Sequence, residues 1–106
     1  MIISTTENIA GYSIKEHLGT VIGNTIRARH VGKDIMAGFR TLIGGEIKEY
    51  TGMMAESREQ SMMRMKDKAK ELGADAVVGV RFQTSMILSG TAELLVYGTA
   101  VKLEKS

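Results

Sequence analysis

Residues 92–103, AELLVYGTAVKL, are apolar on both faces of any strand they form. Side chains alternate along a strand, so Leu95, Tyr97, Val101 and Leu103 point one way and Leu94, Val96 and Ala100 the other. An antiparallel sheet with one solvated face alternates apolar with polar residues, and this segment does not. The sheet it joins must be covered on both sides. The chain of 106 residues is the size of one domain and carries one long helical segment to do the covering. One helix covers one side of a four-stranded sheet. A second subunit is expected on the other side, which makes the chain a homo-oligomer.

The remaining elements follow from changes of period. Residues 2–6 suit a short extended arm. In residues 12–29, Tyr12, Ile14 and Leu18 alternate with Ser13, Lys15 and His17 as the two faces of a strand. Gly19 and Gly23 mark a bend or bulge there, giving two short strands or one kinked ribbon. Asp34 is an N-cap for a short helix with Ile35, Met36, Phe39, Leu42 and Ile43 at helical spacing, closed by Gly44 and Gly45. A longer helix is predicted over 47–72. Its stripe is Ile47, Tyr50, Met54, Met65, Ala69 and Leu72, with Ser57 and Ser61 as small members. Lys66, Lys68 and Lys70 suit the negative end of its dipole, and Gly73 stops it. Residues 76–88 and 92–103 then form a hairpin around the turn at 89–91. The fold class is α+β: an antiparallel sheet of about four strands with one long and one short helix, in the order ββααββ.

Composition closes off several chemistries. There is no Cys, which removes disulfides, thiolate catalysis and Cys-based metal sites. Aromatic residues make up 5% and Trp is absent, so the core must be aliphatic and rich in the eight methionines. The net charge is +2, and acids interrupt the densest basic run, RMKDKAKE, so no nucleic-acid partner is expected. No window approaches the roughly 20 apolar residues of a membrane span. The first residues lack the pattern of a signal peptide, and a cytoplasmic protein is expected.

No catalytic set emerges, and the chain reads as non-enzymatic. The two histidines, His17 and His30, lie in or beside predicted strands and outside any i, i+4 ligand motif. Methionine thioethers favour soft ions such as Cu(I), yet methionine in a helical stripe is more often core filler. Met54 and Met65 fall on that stripe. Met62 and Met63 are left to face a neighbouring subunit. His17, His30, Met62 and Met63 are thus the candidate metal ligands, although their spacing supports no metal site within one chain. Residues 72–79, LGADAVVG, are glycine-rich, but they run from helix to strand. The helix end there is a C-terminus, which repels phosphate. The glycines ahead of Glu46 have the better polarity but lack the Lys-Ser/Thr ending of a P-loop.

STT at 4–6, AGFRTLIGG at 37–45, Tyr50, LGADAVVGV at 72–80 and GTAVK at 98–102 together resemble the YbjQ family of small bacterial and archaeal proteins. The resemblance runs over essentially the whole chain. It implies a single YbjQ-like domain over 1–106, with a dodecin-like subunit that forms a pentameric ring or a decamer of two stacked rings. The family carries a heavy-metal-binding label but no ligand set that transfers position by position. It often has a basic residue after the paired glycines, where this chain has Glu46. The expected function is a ring-forming module that binds a small ligand in its pore or inter-subunit clefts. The alternative is a heavy-metal-binding protein whose Met and His side chains converge at subunit interfaces.

Overall fold

Glycine breaks and β-branched runs resolve into strands β1 (Ile2–Ile3), β2 (Tyr12–Ala28), β3 (Ala76–Leu88) and β4 (Thr91–Lys105), with helix α1 (Lys48–Glu71). The structure is a computed structural model and describes residues 1–28, 48–88 and 90–106. The short helix expected after Asp34, the glycine pair 44–45, Glu46 and His30 lie outside the described residues. Among the described residues no helix is long and apolar enough to cross a membrane.

The strands form one sheet in the order β1-β3-β4-β2. It is mixed rather than antiparallel, because β1 pairs parallel to β3, with Ile2 opposite Ala76 and Ile3 opposite Val77. Two residues are too few to show a strand period, so nothing in the sequence announced this. β1 and β2 run the same way at opposite edges, so the residues between them must cross the sheet. Ile9 packs on the way against Ala76, Val78 and Val101. The chain thus covers part of the sheet face opposite the helix with its own N-terminal loop.

β2 is one continuous strand along β4, with register shifts after Ile14 and after His17. These irregularities change which face a residue meets. Ile14 packs in the cluster with Ala76, Val78 and Val101, whereas Leu18 packs in the helix-side cluster with Val21, Met65 and Val77. The simple alternation that put Ile14 and Leu18 on one face fails because each bulge inserts an unpaired residue.

Helix α1 lies mainly over β2 and β4 and touches β3 little. Its buried stripe is Ser57, Ser61, Met65 and Ala69, each one turn from the next. Small residues let the backbones meet closely. A Cβ on Gly23 would collide with the Ser61 carbonyl oxygen and lie 2.5 Å from the Met65 amide nitrogen. Hydroxyls satisfy the polar groups trapped in this contact. Ser61 donates to the Leu94 carbonyl (3.2 Å) and lies 3.1 Å from the Thr25 hydroxyl, while Arg27 Nε donates to Ser57 Oγ (3.0 Å).

The helix ends as its glycine predicts. Gly73 has φ +77°; its amide donates to the Lys70 carbonyl (2.9 Å), and that of Ala74 donates to Ala69 (3.0 Å). These two bonds are those of a Schellman motif. Leu72, expected on the buried stripe, is instead 46% exposed, because it precedes the residue that reverses the chain. Asp75 then ties the joint to the sheet. Its amide donates to the Val101 carbonyl (2.9 Å), and its carboxylate accepts from the Leu103 amide (2.9 Å).

Much apolar surface stays open. Ile22 and Ile26 are exposed on the face away from the helix, and Phe82 and Met86 on the helix side of β3, beyond the reach of α1. The Cα radius of gyration is 17.5 Å, against about 13 Å for a closed globule of this length.

Candidate functional site

Among the described residues, depressions on the two faces of the sheet divide His17, Met62 and Met63 between them. The first lies on the helix side, between the outer surface of α1 and Phe82 of β3, with a volume of about 630 Å³. Met62 and Met63 both line it, so the methionine pair does share one concave surface. Arg58, Lys66 and Lys70 alternate with Glu59 and Asp67 on its rim, an ordinary solvated charge pattern for a helix surface. Met63 is 63% exposed.

The second depression, about 560 Å³, lies on the opposite face, and irregular backbone builds it. β3 breaks register between Val78 and Arg81, where Gly79 adopts φ +62°. That conformation belongs to a glycine at the first position of a bulge. The two irregularities of β2 lie on the other side of β4, and bulges re-aim side chains. His17 and Arg81 thereby line one hollow with Thr99 of β4 between their strands.

The N-terminal loop forms the rim and fixes Arg81. Ser4 and Thr6 join hydroxyl to hydroxyl (2.6 Å), and Thr6 Oγ1 donates to the Asn8 carbonyl (2.6 Å). The Gly79 amide donates to the Thr6 carbonyl (2.9 Å) and that of Val80 to Ser4 (3.0 Å), which pins the loop against the bulge. Arg81 Nη1 donates to the Thr5 and Val80 carbonyls, both at 2.9 Å. Two acceptors on one nitrogen orient the planar guanidinium, and among the described residues Nε and Nη2 have no hydrogen-bond acceptor. Asn8 and Glu7 complete the polar lining.

Of the four candidate ligands, His17 lies in this second depression and Met62 and Met63 in the first, on opposite faces of the sheet. Among the described residues, one subunit does not bring imidazole and thioether together. Among the described residues no three His, Cys, Asp or Glu side chains gather as a metal site. Sequence reasoning missed Arg81, Thr99 and Asn8. The available signal was Gly79, an isolated glycine inside a β-branched run, which marks a bulge. The segments STT, LGADAVVGV and GTAVK, distant in sequence, meet around this hollow.

A family model described as "Putative heavy-metal-binding", YbjQ_1, matches residues 1–104. The chain is 60% identical over 106 residues to a UPF0145 protein of Thermosipho africanus, covering all of this chain and 98% of that one. It is 55% identical over 103 residues to a UPF0145 protein of Methanosarcina acetivorans, covering 97% of each. The fold is similar to the crystal structure of a DUF74-family protein of unknown function from Pediococcus pentosaceus, with a TM-score of 0.68, 21% identity and 98% of each chain covered. Sequence and fold agree along almost the entire length, and the chain belongs to the YbjQ (UPF0145, DUF74) family.

Proposed function

We propose that this chain is a non-enzymatic subunit of a closed homo-oligomer, of the ring kind its sequence resemblance implies, that binds a small carboxylate beneath Arg81. The observation that carries the binding reading is the convergence of an oriented guanidinium, the His17 ring and the Thr99 hydroxyl in a hollow that bulges on two strands create. A fixed guanidinium fork matches a carboxylate in two-point geometry. Glu7, on the same rim, supplies an acceptor. A carboxylate that also bears a hydroxyl or ammonium donor, such as lactate or glycine, complements both ends. The uncovered apolar faces and the extended shape support the oligomer.

Amide NMR titration tests the binding reading. Lactate or glycine at millimolar concentration is expected to shift Gly79 and Thr99, and Arg81→Ala to abolish these ligand-induced shifts while leaving amides away from the N-terminal loop and the Gly79 bulge unchanged. Unperturbed amides with lactate, glycine and inorganic phosphate alike would discard the site. A second reading rests on Met62 and Met63 sharing one groove with Glu59 and Asp67. Thioethers there suit a soft ion such as Cu(I). Stoichiometric Cu(I) uptake that disappears in Met62→Leu/Met63→Leu, with His17→Ala unaffected, would favour it over the carboxylate site.

A further inference from the structure

The hollow beside Arg81 is covered at one end and open at the other. Thr99, Val101 and Leu103 are alternate residues of β4 and share the face away from α1. Past Thr99 that row runs under the N-terminal loop, where Ile9 packs with Val101 and Leu103, and Ile14 joins them. In the other direction the row continues as Tyr97 and Leu95, both half-buried. The hydrogen bonds of the loop reach Arg81 and, among the described residues, end there.

Register fixes what surrounds the open end. Tyr97 stands opposite Arg81 of β3 on one side and opposite Ile22 of β2 on the other. Paired residues of neighbouring strands point to the same face, so the three form one row across the sheet. Neighbours in such a row are one strand spacing apart, about 4.8 Å. Ile22 is 40% exposed. The surface therefore changes from polar at Thr99 and His17 to aromatic and aliphatic at Tyr97 and Ile22 within two residues of strand. The chain holds only three tyrosines and two phenylalanines, and one of these five rings borders the oriented guanidinium.

We propose, on the carboxylate reading above, that the ligand of this hollow is an α-hydroxy or α-amino acid with an aromatic side chain. Its carboxylate meets Arg81 and its ring lies on Tyr97. A smaller acid such as lactate uses only the polar end and leaves Tyr97 and Ile22 in water. A benzyl group on the carbon beside the carboxylate carries its ring across one strand spacing, from Arg81 to Tyr97. Stacking of the two rings then adds to the burial of apolar surface. The loop over Val101 and Leu103 leaves the side chain one way to run. Glu7, on the rim, accepts from the hydroxyl or ammonium group and so sets which way the acid faces.

NMR titration with 3-phenyllactate beside lactate tests the ligand class apart from the site. Phenyllactate is expected to bind at least about tenfold more tightly than lactate, and nuclear Overhauser contacts should join its ring to the Tyr97 ring. Tyr97→Ala should remove most of that preference while lactate binds as it does to wild type. The ring-to-ring contact is read in the wild type, so it decides even where the variant fails to fold. Lactate binding without a gain for phenyllactate, or without contact to Tyr97, would overturn the aromatic ligand and leave the carboxylate site standing. A preference that survives intact in a folded Tyr97→Ala would overturn it as well. Shifts with neither acid would sink the site and the ligand class together.

Discussion

Gly23 shows how much a single hydrogen can decide. Its lack of a side chain lets the α1 backbone at Ser61 and Met65 rest directly on β2. Gly23→Ala places a methyl group against backbone atoms, which cannot rotate away. The expected cost is at or above about 3 kcal/mol, the upper end for overpacked sites. Urea unfolding checks this, and an unchanged midpoint would mean that the helix does not seat there. The sequence indicated that Gly23 was structural, but suggested a bend rather than a seat for a helix. That distinction depends on which residue, far along the chain, lies above it. Arg81 was missed for a related reason: a lone arginine in a strand looks like a solvated side chain until a bulge and a pinned loop orient it.

At the scale of elements, the helix-to-strand joint was the most legible part of the chain. Its bonds are local: Gly73 and Ala74 reach back to Lys70 and Ala69, so four or five residues carry the whole pattern. Gly73→Ala is expected to destabilise by about 1–2 kcal/mol, the cost of holding a Cβ at positive φ. The space around it is open, with Lys102 Nζ 3.8 Å from such a Cβ, so backbone strain alone accounts for the loss. Thermal denaturation of Gly73→Ala beside Gly73→Asn separates the two, since asparagine tolerates that conformation and should lose less. The parallel β1 was the least legible element. Its two residues bond to a strand more than 70 positions away, and no local pattern encodes such a partner. The faces of β2 lay between these extremes, because alternation was readable and the two bulges that reverse it were not.

For the whole molecule, the small core sets the terms. Among the described residues the largest fully buried hydrophobic side chains are Met65, Val77, Val96 and Val101, with no aromatic or leucine among them. Each contributes about 1.5–3 kcal/mol on burial, a modest reserve for a chain of this length. Association that covers the open faces should therefore carry much of the stability. The melting temperature is expected to fall by roughly 5 °C or more on hundredfold dilution, as mass action requires of a linked assembly. Scanning calorimetry at two concentrations decides it, and coincident transitions would mean that the single chain stands alone. The two apolar faces of β4 were legible in its sequence, whereas the hollow beside Arg81 needed three distant segments to meet. The long ladder of β2 on β4 has a consequence for synthesis. It pairs Tyr12 with Lys105 and Ala28 with Thr91, joining the beginning of the chain to its end. On the ribosome, β2 emerges before β4 is made, and the sheet can be completed only after residues 91–105 have been translated.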